Sequence, residues 1–96
     1  MPQTKNALIR YQTLDRCFRN TGRMYFLEDL LAECNKALTE LDPDNTGIQK
    51  RQLFGDIRFM ESEQGWSIPL GRYRDGKRVY YRYEDPTFSI NTQPLN

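Results

Sequence analysis

The chain has 96 residues, of which 38% are hydrophobic and 28% charged, and its formal net charge is +1. This length and composition predict a single folded domain with a modest core and exclude a disordered chain. No apolar run approaches the roughly 18 residues that cross a bilayer, and residues 1–5 contain no apolar segment of a secretory signal. We therefore expect a cytoplasmic protein with no membrane partner.

The first half of the chain contains two apolar stripes with helical spacing. Leucine and aromatic side chains three or four residues apart predict one helix over residues 5–20 and another over residues 27–41. Residues 24–26, between them, form a short apolar run and are a candidate strand. Because residues 42–47 are rich in Asp, Asn, Pro and Gly, they predict a tight turn after the second helix.

A third helix is predicted over residues 49–62, and its apolar side consists of Leu53, Ile57 and Met60. Two alternatives describe how this helix starts. Ile48 packs on Leu53 around the first turn, or Thr46 caps the helix with Gln49 as its capping-box partner.

Residues 67–83 predict a β-hairpin, because strand-forming residues flank the dipeptide Asp75-Gly76. A type I′ turn at this dipeptide pairs Arg74 with Lys77. In that register one face of the hairpin is apolar near the base and basic near the tip. Such a hairpin would dock on the helices and project outward.

These elements predict an α+β domain over residues 1–84, followed by an extended tail or linker over residues 85–96. One core is expected, in which the hairpin covers the side chains of the three helices. Its predicted members are Leu8, Phe18, Leu30, Leu31, Cys34, Leu38, Leu53, Ile57 and Met60, with Ile68, Leu70 and Tyr81 above them.

The sequence offers no residues for catalysis. It contains no His, no Ser or Cys nucleophile beside a base, no glycine-rich phosphate loop and no metal-ligand spacing, so we expect no enzyme activity, no cofactor and no metal. Cys17 and Cys34 fall within the helical apolar patterns. We interpret them as reduced, buried side chains; a disulfide between them is the alternative.

Charge is unevenly distributed along the chain. Residues 1–23 contain five basic residues and one acidic, residues 24–47 contain one and six, and residues 48–83 contain eight and four. Such segregation can produce a basic face on a nearly neutral protein. The alternative is a set of ordinary solvated faces.

The order helix, strand, helix, turn, helix, hairpin is that of a winged helix-turn-helix with three helices and a C-terminal β-hairpin wing. In this class the helix after the turn enters the major groove, and a basic wing contacts the backbone or the minor groove. The pattern therefore predicts sequence-specific binding of double-stranded DNA. The candidate DNA-binding residues are Gln49, Lys50, Arg51, Gln52 and Arg58 on the third helix, and Arg72, Arg74, Lys77 and Arg78 on the hairpin.

Two further residues of the third helix have particular interpretations. Gly55 provides either close approach to DNA or close packing between helices, and Asp56 is expected to form a structural ion pair with a nearby arginine.

Two other functions stay open: a winged-helix module for protein–protein contact, and a binder of RNA or single strands. The second would use hairpin aromatics for stacking, although we interpret them as packing residues, namely Trp66, Tyr80, Tyr81 and Tyr83.

The chain resembles the N-terminal winged helix-turn-helix of the WYL-domain bacterial transcriptional regulators, a DeoR-like group. The resemblance covers residues 7–95, and its main stretches are Ala7-Leu8-Ile9-Arg10-Tyr11, Leu27-Glu28-Asp29-Leu30, residues 48–57, residues 80–86 and Phe88-Ser89-Ile90. It implies a nucleoid-associated transcription regulator whose effector-sensing WYL domain is not in this chain.

The chain departs from the family pattern at three positions. Gln49 and Gln52 stand where the family usually has Ser and Thr, and Phe26 stands where it has a capping Thr. The first two departures concern the preferred DNA sequence. Regulators of this type commonly bind as dimers, so we also consider a homodimer, with the first helix or the apolar residues Phe88, Ile90 and Leu95 as its interface.

Overall fold

Three α-helices and a three-stranded antiparallel sheet make up residues 5–92, the part of the chain that the computed structural model describes. The elements are α1 (Lys5–Arg19), β1 (Tyr25–Phe26), α2 (Leu27–Leu41), α3 (Lys50–Glu61), β2 (Leu70–Asp75), β3 (Arg78–Tyr83) and a short 3-10 turn (Ile90–Thr92). The sheet has the order β1-β3-β2. The predicted α+β architecture, with its hairpin wing formed by β2 and β3, is confirmed. None of the helices within residues 5–92 is long and apolar enough to cross a membrane.

The core lies between the helices and the base of the hairpin, as predicted, with one error in α1. Leu8 is 40% exposed, whereas Tyr11, Leu14 and Phe18 are buried. Among the buried residues of α1, Tyr11, Leu14 and Phe18 follow Ala7 at intervals of four, seven and eleven residues, and Leu8 lies about 100° around the helix from that line. Of the other predicted members, Leu31 and Tyr81 are partly buried against the core, and the rest are buried.

The turn between α2 and α3 is held by a side chain that the sequence analysis did not identify. The Asn35 amide of α2 accepts a hydrogen bond from the backbone N–H of Ile48 at 2.7 Å and donates one to its carbonyl at 3.2 Å. Gly47 has φ +81°, and a Cβ there would lie 2.6 Å from Asn35 Oδ1. A glycine is therefore required at this point of the turn for both its backbone conformation and the space.

The start of α3 excludes one of the two predicted alternatives. Gln49 is the N-cap residue and makes no side-chain capping bond, so the capping box from Thr46 is not formed. Ile48 packs against the core instead. At the start of α2, Asp29 accepts the backbone N–H of Phe26 at 2.9 Å. One half of a capping box thus persists although Phe26 has no capping oxygen.

The predicted register of the hairpin is wrong. Arg74 pairs with Val79 rather than with Lys77, and Asp75 pairs with Arg78, so the two loop residues are Gly76 and Lys77. Gly76 has φ +66°, whereas neither Asp75 nor Lys77 has a positive φ. A type I′ turn needs positive φ at both central residues, and a type II′ turn needs it only at the first, where glycine is preferred. Because the register shifts by two residues, every side chain keeps its predicted face.

Residues 84–92, which the sequence analysis interpreted as the end of the domain and the start of a tail, return to α1. Ile90 is buried in the core and is therefore not available as an interface residue, and Phe88 packs on Tyr83 with ring centroids 5.0 Å apart. Leu95 lies outside the described residues. The boundary at residues 84–85 and the homodimer stay predictions.

The anchor of this segment is Asp15, a buried carboxylate of α1. It accepts hydrogen bonds from the Tyr83 hydroxyl at 2.8 Å, the Ser89 hydroxyl at 3.0 Å and the backbone N–H of Ile90 at 3.0 Å. Burial, followed by the charge of Asp15, raises the pKa of the Tyr83 phenol. Tyr83 therefore keeps its proton and acts as the donor. The network joins α1, β3 and residues 89–90.

Candidate nucleic-acid interface

The outward side of α3 is basic and contains almost no polar acceptor. Leu53, Asp56, Ile57 and Met60 face the core, so the opposite side of the helix presents Lys50, Arg51, Phe54, Gly55 and Arg58, all exposed. The first turn has no acidic residue. The exposed N–H groups and the positive end of the dipole at this turn favour an anion.

Asp56 forms the structural ion pair that the sequence predicted, but with a partner far away in the chain. Arg10 Nε of α1 lies 2.6 Å from Asp56 Oδ2, and the two side chains are only 12% and 2% exposed. Burial opposes the positive charge of Arg10, yet the hydrogen bond and the charge of Asp56 outweigh it and raise the pKa of the guanidinium. This pair fixes the rotation of α3 relative to α1.

Gln52 belongs to the same network. Its amide Nε2 donates to Asp56 Oδ1 at 2.9 Å, while the residue itself is exposed. The second amide hydrogen and the Oε1 oxygen have no partner within residues 5–92. The predicted base-contacting residue is thus oriented by Asp56 and still presents one donor and one acceptor.

Arg72 connects the wing to α3. Its two terminal nitrogens donate to both carboxylate oxygens of Glu61 at 2.9 and 3.0 Å, and its guanidinium lies 5.7 Å from the centre of the Tyr81 ring. The hydrogen bond to Glu61 raises the pKa of Arg72. Arg72 therefore has a carboxylate partner, unlike the other predicted residues of the wing, and positions the wing beside the C-terminal half of α3.

The remaining wing cations are exposed around the loop. Arg74 and Lys77 project from the tip, and Arg78 places its guanidinium 3.6 Å from the centre of the Phe26 ring of β1. Arg58 of α3 and Arg72 of the wing line one shallow depression together with Phe54 and Tyr81. The exposed sides of α3 and of the wing therefore adjoin at this depression, which Glu61 also lines.

The ion pairs of the domain show which cations have a carboxylate partner; outside the predicted DNA-binding residues, Lys5, Lys36 and Arg82 form no ion pair within residues 5–92. The arginines of α1 and of the loop after it are paired with carboxylates, namely Arg10, Arg16, Arg19 and Arg23. Six predicted DNA-binding cations form no ion pair within residues 5–92: Lys50, Arg51, Arg58, Arg74, Lys77 and Arg78. We call these six the basic surface.

The hairpin aromatics are largely engaged in packing, as the sequence analysis interpreted them. Trp66 and Tyr83 are buried, and Tyr80 is stacked on Tyr73 with ring centroids 5.6 Å apart. Tyr81 packs against the core.

Cys17 and Cys34 are also buried, and both are free. Within residues 5–92 no group of three or more metal-ligating side chains occurs.

Sequence reasoning missed two residues of this region. Glu61 was not among the predicted site residues, because its contact with Arg72 joins elements that local patterns cannot pair. Phe54 was not among the predicted site residues either. Its signal was present, since it is an apolar residue next to Leu53 but off the stripe of α3.

Comparison with known proteins agrees with this geometry. The family model described as the N-terminal winged helix domain of WYL domain-containing proteins matches residues 6–84, which is most of the chain. No curated protein and no solved structure gives a significant match. The chain therefore belongs to the N-terminal winged helix domains of WYL domain-containing proteins, the family that its sequence resembles.

Proposed function

We propose that this domain binds double-stranded DNA sequence-specifically and acts in transcription regulation, with α3 in the major groove and the wing on the backbone or in the minor groove. The observation on which the proposal rests is the basic surface, six cations without carboxylate partners on two adjoining elements. Paired cations have satisfied their charge within the fold, whereas these six have not. A polyanion is the partner that fits them.

The shape of α3 supports its place in a groove. The major groove of B-DNA admits an α-helix, and the outward side of α3 contains a glycine at its middle. A Cβ built on Gly55 has no atom within 4 Å, so close packing between helices, one of the two explanations of this residue, does not account for it. The open position is compatible with the other explanation, close approach of the helix backbone to DNA.

Gln52 is the best candidate for base recognition. A glutamine recognises adenine through one donor and one acceptor, and these are the groups that the bond to Asp56 leaves unused. Since Asp56 is itself held by Arg10, the amide is oriented before DNA arrives. Preorganisation of this kind reduces the ordering cost of binding.

Arg74 and Lys77 at the wing tip would contact phosphates, which position a protein on DNA without conveying sequence. A salt titration on a duplex recovered by selection from random sequence, and on a scrambled duplex, tests this division. Arg74→Ala and Lys77→Ala should weaken both complexes about equally, and the salt slope should fall by about one unit for each phosphate that is no longer neutralised. Gln52→Ala should instead reduce preference at one or two base pairs, by roughly 1–3 kcal/mol.

Lys36→Ala is the matched control, because Lys36 is an exposed cation on α2, outside the basic surface. It should leave affinity and salt slope unchanged. If the wild-type domain shows no salt-dependent binding to any duplex, the protein–protein module becomes the better function. If single strands compete better than duplex, the single-strand function replaces this one.

A further inference from the structure

The outward side of α3 has one large apolar group among its cations. Phe54 is 46% exposed, and its neighbours on this side of the helix are Arg51 and Arg58. It also borders the depression between α3 and the wing, opposite Tyr81. No part of residues 5–92 covers the exposed portion of its ring. An isolated exposed apolar side chain is common on protein surfaces. Whether Phe54 has a function therefore depends on its position relative to the basic surface.

That place is within the basic surface rather than beside it. Arg51, Gly55 and Arg58 recur at four and three residues along α3, so they form one line along the helix, and Phe54 is directly adjacent to it. Because Gly55 has no side chain and a Cβ there would meet no atom within 4 Å, the Phe54 ring lies next to a position where the helix backbone is uncovered. When Arg51 and Arg58 contact phosphates or bases, the ring between them is directed at the groove.

The chemistry of the major groove offers few partners to a phenyl ring. Base edges present hydrogen-bond donors and acceptors, and the apolar group among them is the 5-methyl of thymine. We propose that Phe54 is a specificity-determining residue that recognises thymine by packing its ring on this methyl group. The inference rests on the proposed DNA binding and adds a base preference to it.

Replacement of thymine by deoxyuridine tests the inference, because it removes the methyl group alone. Each thymine of the duplex recovered by selection is replaced in turn, and affinities are measured by fluorescence anisotropy. At one thymine the substitution should weaken wild-type binding about three- to five-fold, as expected for one buried methyl group. Phe54→Ala should bind the thymine and uracil duplexes equally, and Phe54→Leu should keep part of the difference.

Leu41→Ala is the control for loss of an exposed apolar side chain, since Leu41 is 40% exposed at the end of α2. It should preserve the wild-type difference between thymine and uracil. Circular dichroism confirms that each variant is folded, and Phe54→Leu provides the comparison if Phe54→Ala does not fold.

Three outcomes contradict the inference in distinguishable ways. A full uracil penalty in Phe54→Ala would overturn the role of Phe54, because the methyl contact would then belong to another residue. Salt-dependent binding by the wild type with no sensitive thymine would overturn the inference and leave DNA binding in place. The absence of salt-dependent binding to any duplex would overturn DNA binding itself.

Discussion

Replacing Gly55 with Ala should make the domain more stable and a weaker DNA binder at the same time. Gly55 lies inside α3, is exposed, and has no atom within 4 Å of a built Cβ. Ala favours a helix interior over Gly by about 1 kcal/mol, and nothing in the surroundings opposes that gain. For a domain of this size, 1 kcal/mol corresponds to a rise in Tm of about 4–8 °C, which thermal unfolding followed by circular dichroism measures.

The effect on binding should have the opposite sign, because the added methyl group would point toward the groove in the proposed complex. An extra methyl group in a closely packed contact costs about 1–3 kcal/mol, so affinity for the selected duplex should fall about five-fold or more. Thr39→Ala is a suitable control, since Thr39 is exposed in the last turn of α2, its hydroxyl donates to the carbonyl of Asn35 one turn earlier, and Ala favours the helix over Thr. It should raise stability without changing affinity. If Gly55→Ala is stabilised but binds DNA as the wild type does, this side of α3 does not approach DNA. If Gly55→Ala is destabilised, its surroundings are not open.

Three further predictions concern the fold. Ile57→Ala should lower the free energy of unfolding by about 2–5 kcal/mol, because Ile57 is a buried residue of α3. Urea denaturation measures this free energy, and a variant as stable as the wild type would contradict the assignment of Ile57 to the core. Asp15→Ala should lower the free energy of unfolding by about 3–5 kcal/mol, since three buried donors lose their acceptor. Hydrogen exchange of the Ile90 amide should also accelerate. A loss of stability below about 1 kcal/mol would show that water replaces the carboxylate. Burial raises the pKa of Cys17 and Cys34 to about 12, so both thiols should resist alkylation at pH 8 until the protein unfolds, and both should then react. A mass that corresponds to an internal disulfide would contradict this. Because the unfolded thiols ionise at lower pH, stability should decline as pH rises above about 9.

The helices were predictable because their apolar spacing is a local property of the chain. The predicted range of α2 agrees with the observed Leu27–Leu41, and α1 and α3 differ from prediction by about one residue at their ends. Leu8 was assigned to the core because it has the right chemistry near the right position. Which of several apolar side chains in α1 faces inward depends on where α2 and the hairpin pack, and that is a tertiary property.

The turn of the hairpin was predicted at the right place but with the wrong central pair. Asp75-Gly76 and Gly76-Lys77 both contain a glycine in a suitable position. The choice between them sets the register of β2 against β3, which also has to place Leu70 opposite Tyr83 at the base. Because a shift of two residues preserves both faces, the alternation of side chains cannot distinguish the two registers.

The candidate site, like the hairpin, was predicted only in part from the sequence. The basic character of α3 and of the wing follows from the composition of these segments. Which of the charged side chains form ion pairs with one another does not. Asp56 was expected to pair with a nearby arginine, and its partner is 46 residues away in the sequence. Arg72 was grouped with the other wing cations, although a carboxylate of α3 binds it. Long-range contacts of this kind arise only when the elements are packed together.

The distribution of these pairs argues that the basic surface is retained for a partner rather than for the fold. Acidic residues are nearly as numerous as basic ones in this chain, so the sequence has enough carboxylates to neutralise α3 and the wing. Instead, Glu33 and Asp29 of α2 pair with Arg16 and Arg23, away from α3. Cations of one sign repel one another across a shared surface, which lowers stability. The fold tolerates this repulsion at the helix and wing that would face DNA, and binding of a phosphate backbone there would remove it.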